Sequence, residues 1–166
     1  MGALDDPGGW WDAVAVGVAL QELELPLSYA KVLAIPGATW DFFPGHHDPF
    51  YAREQGQETV YLNTMFFSGF LDRIVTDWAG GSAFIRCREL AMTGSVYAGE
   101  LLVGRGEVTA KRVEPGGMRV LDITVSALNE NGAGARGLIT VTHARELTAL
   151  APGDWRVESP GQEVAI

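Results

Sequence analysis

The sequence predicts an α+β domain in which a curved antiparallel sheet wraps around one long helix. Two observations predict it: apolar residues recur at three- and four-residue spacing in residues 64–81, and four later stretches alternate with period two. A helix with a broad apolar stripe must bury that stripe, and one face of an antiparallel sheet can cover it. The chain has 166 residues, which suits one domain with a sizeable core.

The first part of the chain is predicted to contain an extension and then strand material. Residues 1–14 are assigned to an N-terminal extension, in which Trp10 and Trp11 are expected to pack on the domain itself or on a neighbouring subunit. Residues 21–35 (QELELPLSYAKVLAI) alternate and then become apolar, which predicts one or two strands. The domain is assigned to residues 15–148, and a C-terminal tail rich in Pro, Gly and acids to residues 149–166.

Two helices are predicted in the middle of the chain. Residues 48–56 (DPFYAREQG) begin with Asp48 as the N-cap and Pro49 at the first helical position, and Gly56 ends them. The long helix of residues 64–81 begins at a cap supplied by Asn63 or Thr64 and ends at two glycines. Its broad apolar stripe is formed by Phe66, Phe67, Phe70, Leu71, Ile74, Val75 and Trp78.

The last part of the domain is predicted to form four strands. They lie in residues 82–90, 95–113, 118–128 and 136–147. The stretches EPGG and NENGAG supply the turns of two hairpins between the later strands. This run of strands follows the long helix, so the sheet can fold back over the apolar stripe.

Composition argues against several classes of partner and site. The net charge is −9, whereas nucleic-acid binding requires a basic surface. We expect no membrane span, because the chain has no uninterrupted run of about 18 apolar residues. Cys87 is the only cysteine, so an intrachain disulfide is impossible and a cysteine-based zinc site is disfavoured. The acidic N-terminus does not resemble a secretory signal, and a cytoplasmic location is the simplest expectation.

Residues 38–52 (ATWDFFPGHHDPFYA) contain the candidate chemistry. Asp41 and His46 are separated by four residues in a segment that leads into a helix, so both side chains can turn toward one point. A carboxylate and an imidazole at that distance can hold a water between them and transfer protons near neutral pH. The alternative is a structural pair, in which the aspartate caps a turn and the histidine bonds at the surface.

A metal site is the weaker interpretation of the same segment. The adjacent side chains of His46 and His47 are expected to point apart, and Asp48 is already assigned to the helix cap. His143 lies within a predicted strand and is interpreted as a residue of the pleated sheet. The sequence therefore offers no third ligand at a suitable spacing.

The spacing in this segment resembles the motif of the MaoC-like (R)-specific enoyl-CoA hydratases. The residues that fall in register are Asp41, Pro44, His46 and Ala52. Phe43 stands where that family has Asn, and Gly99-Glu100 stands where it typically has Gly-Asp. The resemblance covers about residues 15–148 and implies the hot-dog fold, the same architecture that the periodicity predicts.

A narrower resemblance concerns the small MaoC-like subunits of actinobacterial steroid side-chain hydratases, which act in cholesterol degradation. It is carried by DFFPGHHD, VYLNT and RIVTDWAG. It implies a steroid or other acyl-CoA as substrate, with no further cofactor. It also implies a larger partner subunit with a MaoC-like domain and a DUF35 domain, in a heterodimer or heterotetramer. A thiolase-like aldolase is a further candidate partner.

The resemblance also implies roles for four residues. Asp41 and His46 would hold the attacking water, and His46 would take its proton. The developing enolate oxygen would accept a hydrogen bond from the backbone N–H of Thr64, where the family has Gly. Asn63 would cap the helix or contact the thioester.

Two alternative functions and one question of phosphate binding remain open at this stage. The chain could be a non-catalytic scaffolding half of a heteromer, or a thioesterase of the same fold, although the Asp-x4-His spacing fits hydratases better. Arg86 and Arg88 alternate with apolar residues and are expected to share one face of a strand. That face could bind CoA phosphates or be simply solvated.

Overall fold

The computed structural model describes residues 2–6 and 9–149. The first half of the described chain is mostly helical and contains one short strand, and the second half is almost entirely strands. The α-helices are α1 (Trp10–Ala13), α2 (Tyr29–Thr39), α3 (Pro49–Glu54) and α4 (Thr64–Ala79). The strands are β1 (Leu23–Pro26), β2 (Ala83–Met92), β3 (Leu101–Val113), β4 (Arg119–Leu128) and β5 (Gly134–His143). Short 3-10 helices span Pro44–His46 and Ala144–Ala149.

Within the described residues, the strands form one sheet in the order β1-β3-β4-β5-β2, and every neighbouring pair is antiparallel. The two predicted hairpins are present. In the first, Glu114 N–H donates to the carbonyl of Met118, and in the second, Asn129 N–H donates to that of Ala133. The alternation of β4 places Leu121, Ile123 and Val125 on the face that meets α4. The expected helix and sheet architecture is confirmed.

Helix α4 is the centre of the core. Its N-cap is Asn63, and it ends at Gly80, whose φ of 94° is a conformation that glycine adopts readily. The residues of α4 that are buried against the sheet are Phe67, Phe70, Leu71, Ile74, Val75 and Ala79. The helix approaches β3 closely at Gly104. A Cβ added there would lie 2.6 Å from the Ile74 Cδ1 atom. A larger residue at this crossing would have to displace the side chains of Ile74 and Phe70.

The expectation of strand structure throughout residues 21–35 is wrong in its second half. Strand β1 ends at Pro26, and residues 29–39 form α2. The reason is local: the Ser28 side chain caps the helix by accepting a hydrogen bond from the Lys31 N–H. Val32 and Pro36 then lie one turn apart on the buried face. The apolar run therefore follows a helical period, and the alternation applies to β1 alone.

Two strand boundaries also differ from the prediction. The strand expected from residue 95 begins at Leu101, because Gly99 turns the chain with a φ of 100°. The strand expected to reach residue 147 ends at His143, where the Nδ1 atom accepts a hydrogen bond from Arg145 N–H and a 3-10 helix begins. Most of the predicted C-terminal tail, residues 150–166, lies outside the described residues.

The N-terminal tryptophans were expected to pack on the domain itself or on a neighbouring subunit. They pack on the domain itself. Trp10 is buried and stacks on His143, with ring centroids 6.2 Å apart. The Lys111 ammonium lies 4.8 Å from the centroid of Trp11. No helix in the part of the chain that the structure describes has the length and apolar character needed to cross a bilayer.

Candidate active site

The loop between α2 and α3 positions the two candidate catalytic side chains. Helix α2 ends at Trp40, the only described residue other than glycine with a positive φ (55°). The Asp41 N–H still donates to the Pro36 carbonyl, so the aspartate is held at the helix end. His46 lies at the end of the 3-10 helix that follows, and Asp48 accepts hydrogen bonds from the first turn of α3. The loop is thus anchored at both ends.

Asp41 and His46 meet as the spacing predicted. The Asp41 Oδ2 atom lies 3.5 Å from the His46 Nε2 atom. The His46 side chain is 9% exposed and that of Asp41 is 34% exposed, so the pair lies at the border between core and solvent. A separation of 3.5 Å is longer than an ordinary hydrogen bond, and a water that bonds to both atoms would fit the chemistry of the pair.

The other nitrogen of His46 determines how the imidazole can act. Its Nδ1 atom is 2.9 Å from the backbone carbonyl oxygen of Tyr61. A carbonyl can only accept, so Nδ1 carries the proton and donates it to this bond. In the neutral ring, Nε2 then has a free lone pair directed toward Asp41. The arrangement can accept a proton at Nε2 and stabilise the resulting imidazolium with the carboxylate.

Aromatic rings surround the imidazole. The ring of Tyr61 meets it edge to face with centroids 4.7 Å apart, and the ring of Phe43 does so at 5.6 Å. Phe43 also contacts Tyr51. Burial, followed by the charges of Tyr51, Tyr97 and Asp41, raises the pKa of Tyr61 above its ordinary value. An ordinary tyrosine is already neutral at physiological pH, and this shift takes the phenol further from ionisation.

Asn63 caps the central helix, and both ends of its amide are bonded. Its side-chain oxygen accepts a hydrogen bond from the Phe66 N–H at 2.8 Å, and its Nδ2 donates to the Thr39 hydroxyl at 2.7 Å. The residue is almost fully buried. Asn63 was expected to cap the helix or to contact the thioester, and the structure shows that it caps the helix. The next residue, Thr64, is exposed, and as the first residue of α4 it has a backbone N–H that no carbonyl of the helix accepts.

Replacing Asn63 by Ala is expected to lower the free energy of unfolding by roughly 2 kcal/mol, because the cap and a buried hydrogen bond are lost together. Urea denaturation measures the change. Ser28→Ala is the matched control, since Ser28 also caps a helix but is exposed. It is expected to lose about half as much. An equal loss in the two variants would contradict the prediction.

The remaining histidines have structural contacts. His47 donates from Nε2 to the carbonyl of Phe42 at 3.2 Å, so the adjacent side chains of His46 and His47 do point apart. His143 ends β5 in the core. In residues 2–6 and 9–149, no group of three or more His, Cys, Asp or Glu side chains is arranged to hold a metal ion.

The expectation that Arg86 and Arg88 share one face is wrong. A register shift between Ile85 and Cys87 breaks the alternation of β2. Arg88 then pairs with Asp72 on α4, whereas Arg86 donates to the Glu114 carboxylate at 2.9 Å. Both guanidinium groups are already bound to carboxylates of the domain. A shared phosphate-binding face is therefore not formed by these two residues.

The contact of His46 with Tyr61 is a feature of the site that the spacing did not predict. It is made by a backbone carbonyl 15 residues away, and any residue type supplies a carbonyl. The available signal was the resemblance carried by VYLNT, which includes Tyr61 and Asn63. The link between Asn63 and Thr39 was also missed, because it joins residues 24 positions apart.

Comparison with known proteins gives one curated relative of clear similarity. The chain is 38% identical over 95 residues to the beta subunit of a 3-oxo-4,17-pregnadiene-20-carboxyl-CoA hydratase from Mycobacterium tuberculosis. The match covers 57% of this chain and 74% of the relative. No family model matches the chain.

Solved structures agree with this similarity. The ChsH1-ChsH2 complex of Mycobacterium tuberculosis contains a chain that superposes with a TM-score of 0.72 at 32% identity, covering 78% of this chain and 98% of that one. The MaoC-like dehydratase of Rhodospirillum rubrum superposes with a TM-score of 0.68 at 17% identity, covering 80% and 94%. The second likeness concerns the fold alone, and it is the hot-dog fold that the resemblance implied.

Proposed function

Since the chain belongs to the MaoC-like hydratase family, we propose that it is the catalytic subunit of an enoyl-CoA hydratase. The reaction adds water across the 2,3-double bond of a CoA thioester, here one whose acyl group is a steroid side chain. The observation that supports it best is the Asp41–His46 pair, in which Asp41 Oδ2 and His46 Nε2 are 3.5 Å apart while His46 Nδ1 lies on the Tyr61 carbonyl. Such a pair is suited to general acid–base chemistry.

The proposed proton transfers follow from that geometry. A water bound between Asp41 and His46 gives one proton to His46 Nε2 while its oxygen bonds to the β-carbon of the enoyl group. The electron pair of the double bond moves to the thioester, whose carbonyl oxygen becomes an enolate oxygen. The pair then returns the proton to the α-carbon, so that one hydrogen and one hydroxyl are added in total. Asp41 stabilises the imidazolium between the two steps.

The enolate oxygen needs a hydrogen-bond donor, and the backbone N–H of Thr64 is the proposed one. It lies at the start of α4, where the helix dipole favours negative charge. Thr64 follows Tyr61 by three residues, which span at most roughly 10 Å, and the Tyr61 carbonyl bonds His46. The donor and the base therefore belong to one compact region. Asn63 contributes by fixing the helix start.

The proposed substrate and partner rest on the relatives. The curated relative is a beta subunit, and one of the similar solved structures is that of a complex, so we propose that this chain works in a heteromer. The proposed partner is a larger subunit with a MaoC-like and a DUF35 domain, in a heterodimer or heterotetramer, and a thiolase-like aldolase is a further proposed partner. The proposed substrate is a steroid side-chain enoyl-CoA, such as the one that the relative's name states.

The experiment is a hydration assay on the full chain, alone and co-purified with the candidate larger subunit. Loss of 3-oxo-4,17-pregnadiene-20-carboxyl-CoA and gain of a product heavier by one water are followed by mass spectrometry. The complex is expected to turn over this thioester at least about tenfold faster than crotonyl-CoA, because a bulky apolar acyl group contributes binding energy. A chain that is fully active alone on crotonyl-CoA, and inactive on the steroid thioester, would contradict the proposed substrate.

A non-catalytic scaffolding subunit is the second candidate function. Phe43 and Thr64 favour it, because they stand where the resembling hydratases have Asn and Gly. In that case the partner would hold the working site. The thioesterase alternative has no comparable observation in its favour.

A further inference from the structure

The imidazole of His46 is enclosed by two aromatic rings that pack against it without a hydrogen bond to it. Tyr61 lies at 4.7 Å and Phe43 at 5.6 Å between ring centroids, both in edge-to-face arrangements. Phe43 occupies the position at which the resembling hydratases have Asn, and its side chain can neither donate nor accept a hydrogen bond. Phe43 therefore cannot orient His46 through a hydrogen bond, as an asparagine amide at this position could.

The segment that supplies Tyr61 is held firmly in place. Leu62 N–H donates to the Val96 carbonyl at 3.0 Å, and Ala98 N–H donates to the Val60 carbonyl at 3.2 Å. These two bonds flank Tyr61, whose own backbone bridges to Tyr97. The carbonyl that accepts from His46 Nδ1 is thus fixed in a short strand-like pairing. The ring of Tyr61 is fixed with it.

Gly45 shows that the two rings and the loop are fitted to one another. A Cβ added at Gly45 would lie 2.8 Å from Phe43 Cε1 and 2.8 Å from the Tyr61 hydroxyl oxygen. Both distances are shorter than a van der Waals contact, so any larger residue would displace the rings from their places. The residue before His46 therefore lies close against both rings that contact the imidazole.

We propose that Tyr61 and Phe43 are positioning residues, which keep the His46 imidazole on the Tyr61 carbonyl so that Nε2 remains free to accept a proton. The role deepens the proposed hydratase function and rests on it. Neither side chain is assigned a contact with the reacting atoms. Tyr61 acts through its carbonyl and its ring, and Phe43 acts through its ring alone. Loss of a ring leaves space in which the imidazole can rotate away from the carbonyl.

The test separates positioning from catalysis by using two measurements. In the first, ¹⁵N NMR of the imidazole in the full chain without substrate identifies the protonated nitrogen, with His46→Gln to assign the signals. The native protein is expected to show one tautomer, protonated at Nδ1. Tyr61→Leu is expected to show a mixture of both tautomers, and Tyr61→Phe, which keeps the ring, is expected to restore the single tautomer. This measurement does not depend on hydration.

The second measurement is steady-state hydration by the complex. Tyr61→Leu is expected to lower kcat about tenfold with KM changed less than about threefold, because a displaced base affects the reaction more than substrate binding. Tyr29→Leu, which removes an exposed tyrosine on α2, is the matched control and is expected to retain native kcat. If Tyr61→Leu does not fold, Phe43→Leu tests the same inference at a more exposed position.

A single Nδ1 tautomer in both Tyr61→Leu and Phe43→Leu would overturn the positioning role, whatever the activity. Native kcat in both variants would overturn it as well. By contrast, a native complex that does not hydrate enoyl thioesters, together with a tautomer mixture in Tyr61→Leu, would contradict the proposed function and leave the positioning of the imidazole supported. The two failures are therefore distinguishable.

Discussion

Replacing His46 by Gln is expected to lower kcat for hydration by about 10² to 10⁴, the usual contribution of a positioned general base. The reason is that Nε2 is the atom with a free lone pair next to Asp41, and a glutamine amide cannot take the proton of water. Gln can still donate a hydrogen bond toward the Tyr61 carbonyl, so the loop should fold. The measurement is hydration of the steroid thioester by the reconstituted complex.

His47→Gln is the matched control for this variant. His47 is the adjacent histidine, it is exposed, and it donates one hydrogen bond to the Phe42 carbonyl, which a glutamine amide can replace. Its kcat is expected to stay within about twofold of the native value. Equal activities of the two variants would argue against His46 as the base and in favour of the scaffolding function.

Replacing Asp41 by Asn is expected to lower kcat by at least about 100-fold, with a small effect on stability. The amide has the same shape as the carboxylate but no charge, so it cannot stabilise an imidazolium. Its NH₂ group could also donate to the His46 Nε2 lone pair, 3.5 Å away in the native pair, and occupy the basic atom. Hydration by the complex and thermal unfolding are measured together.

Asp48→Asn is the control that removes an equal charge seven residues away. Asp48 caps α3 by accepting from the N–H groups of Phe50 and Tyr51, and Asn caps helices about as well as Asp. Activity close to native is therefore expected. In the double variant of Asp41 and His46, the losses should be far from additive, because the two residues act as a unit. Additive losses would indicate separate roles.

The parts of the fold that depend on local patterns were predictable. The broad stripe of α4, its cap at Asn63 and the two glycine-containing hairpins all depend on residues close together in the chain. Helix α2 was not predicted, because Leu23 and Leu25 alternate as a strand does and the residues that follow them are mostly apolar. What changes the period is the cap at Ser28, together with the burial of Val32 and Pro36 in the tertiary structure.

In the candidate site as well, features set by local sequence were predictable and features set by tertiary structure were not. The meeting of Asp41 and His46 could be predicted, since their spacing in a loop lets both side chains turn toward one point and matches the hydratase motif. The choice of tautomer could not, because it depends on where the Tyr61 carbonyl lies after folding. The partners of Arg86 and Arg88 were unpredictable for another reason: a β-bulge changes the face on which a side chain emerges, and no residue type marks this bulge.

The glycines of β3 have a consequence for redesign of the domain. A Cβ at Gly104 would lie 2.6 Å from Ile74 Cδ1, and one at Gly106 would lie 3.5 Å from Ile74 Cγ2. The strand side of this crossing is therefore already at its smallest possible size. Anyone who wishes to open room under the helix, for a bulkier acyl group or a fluorescent probe, must truncate the helix side at Phe70 or Ile74.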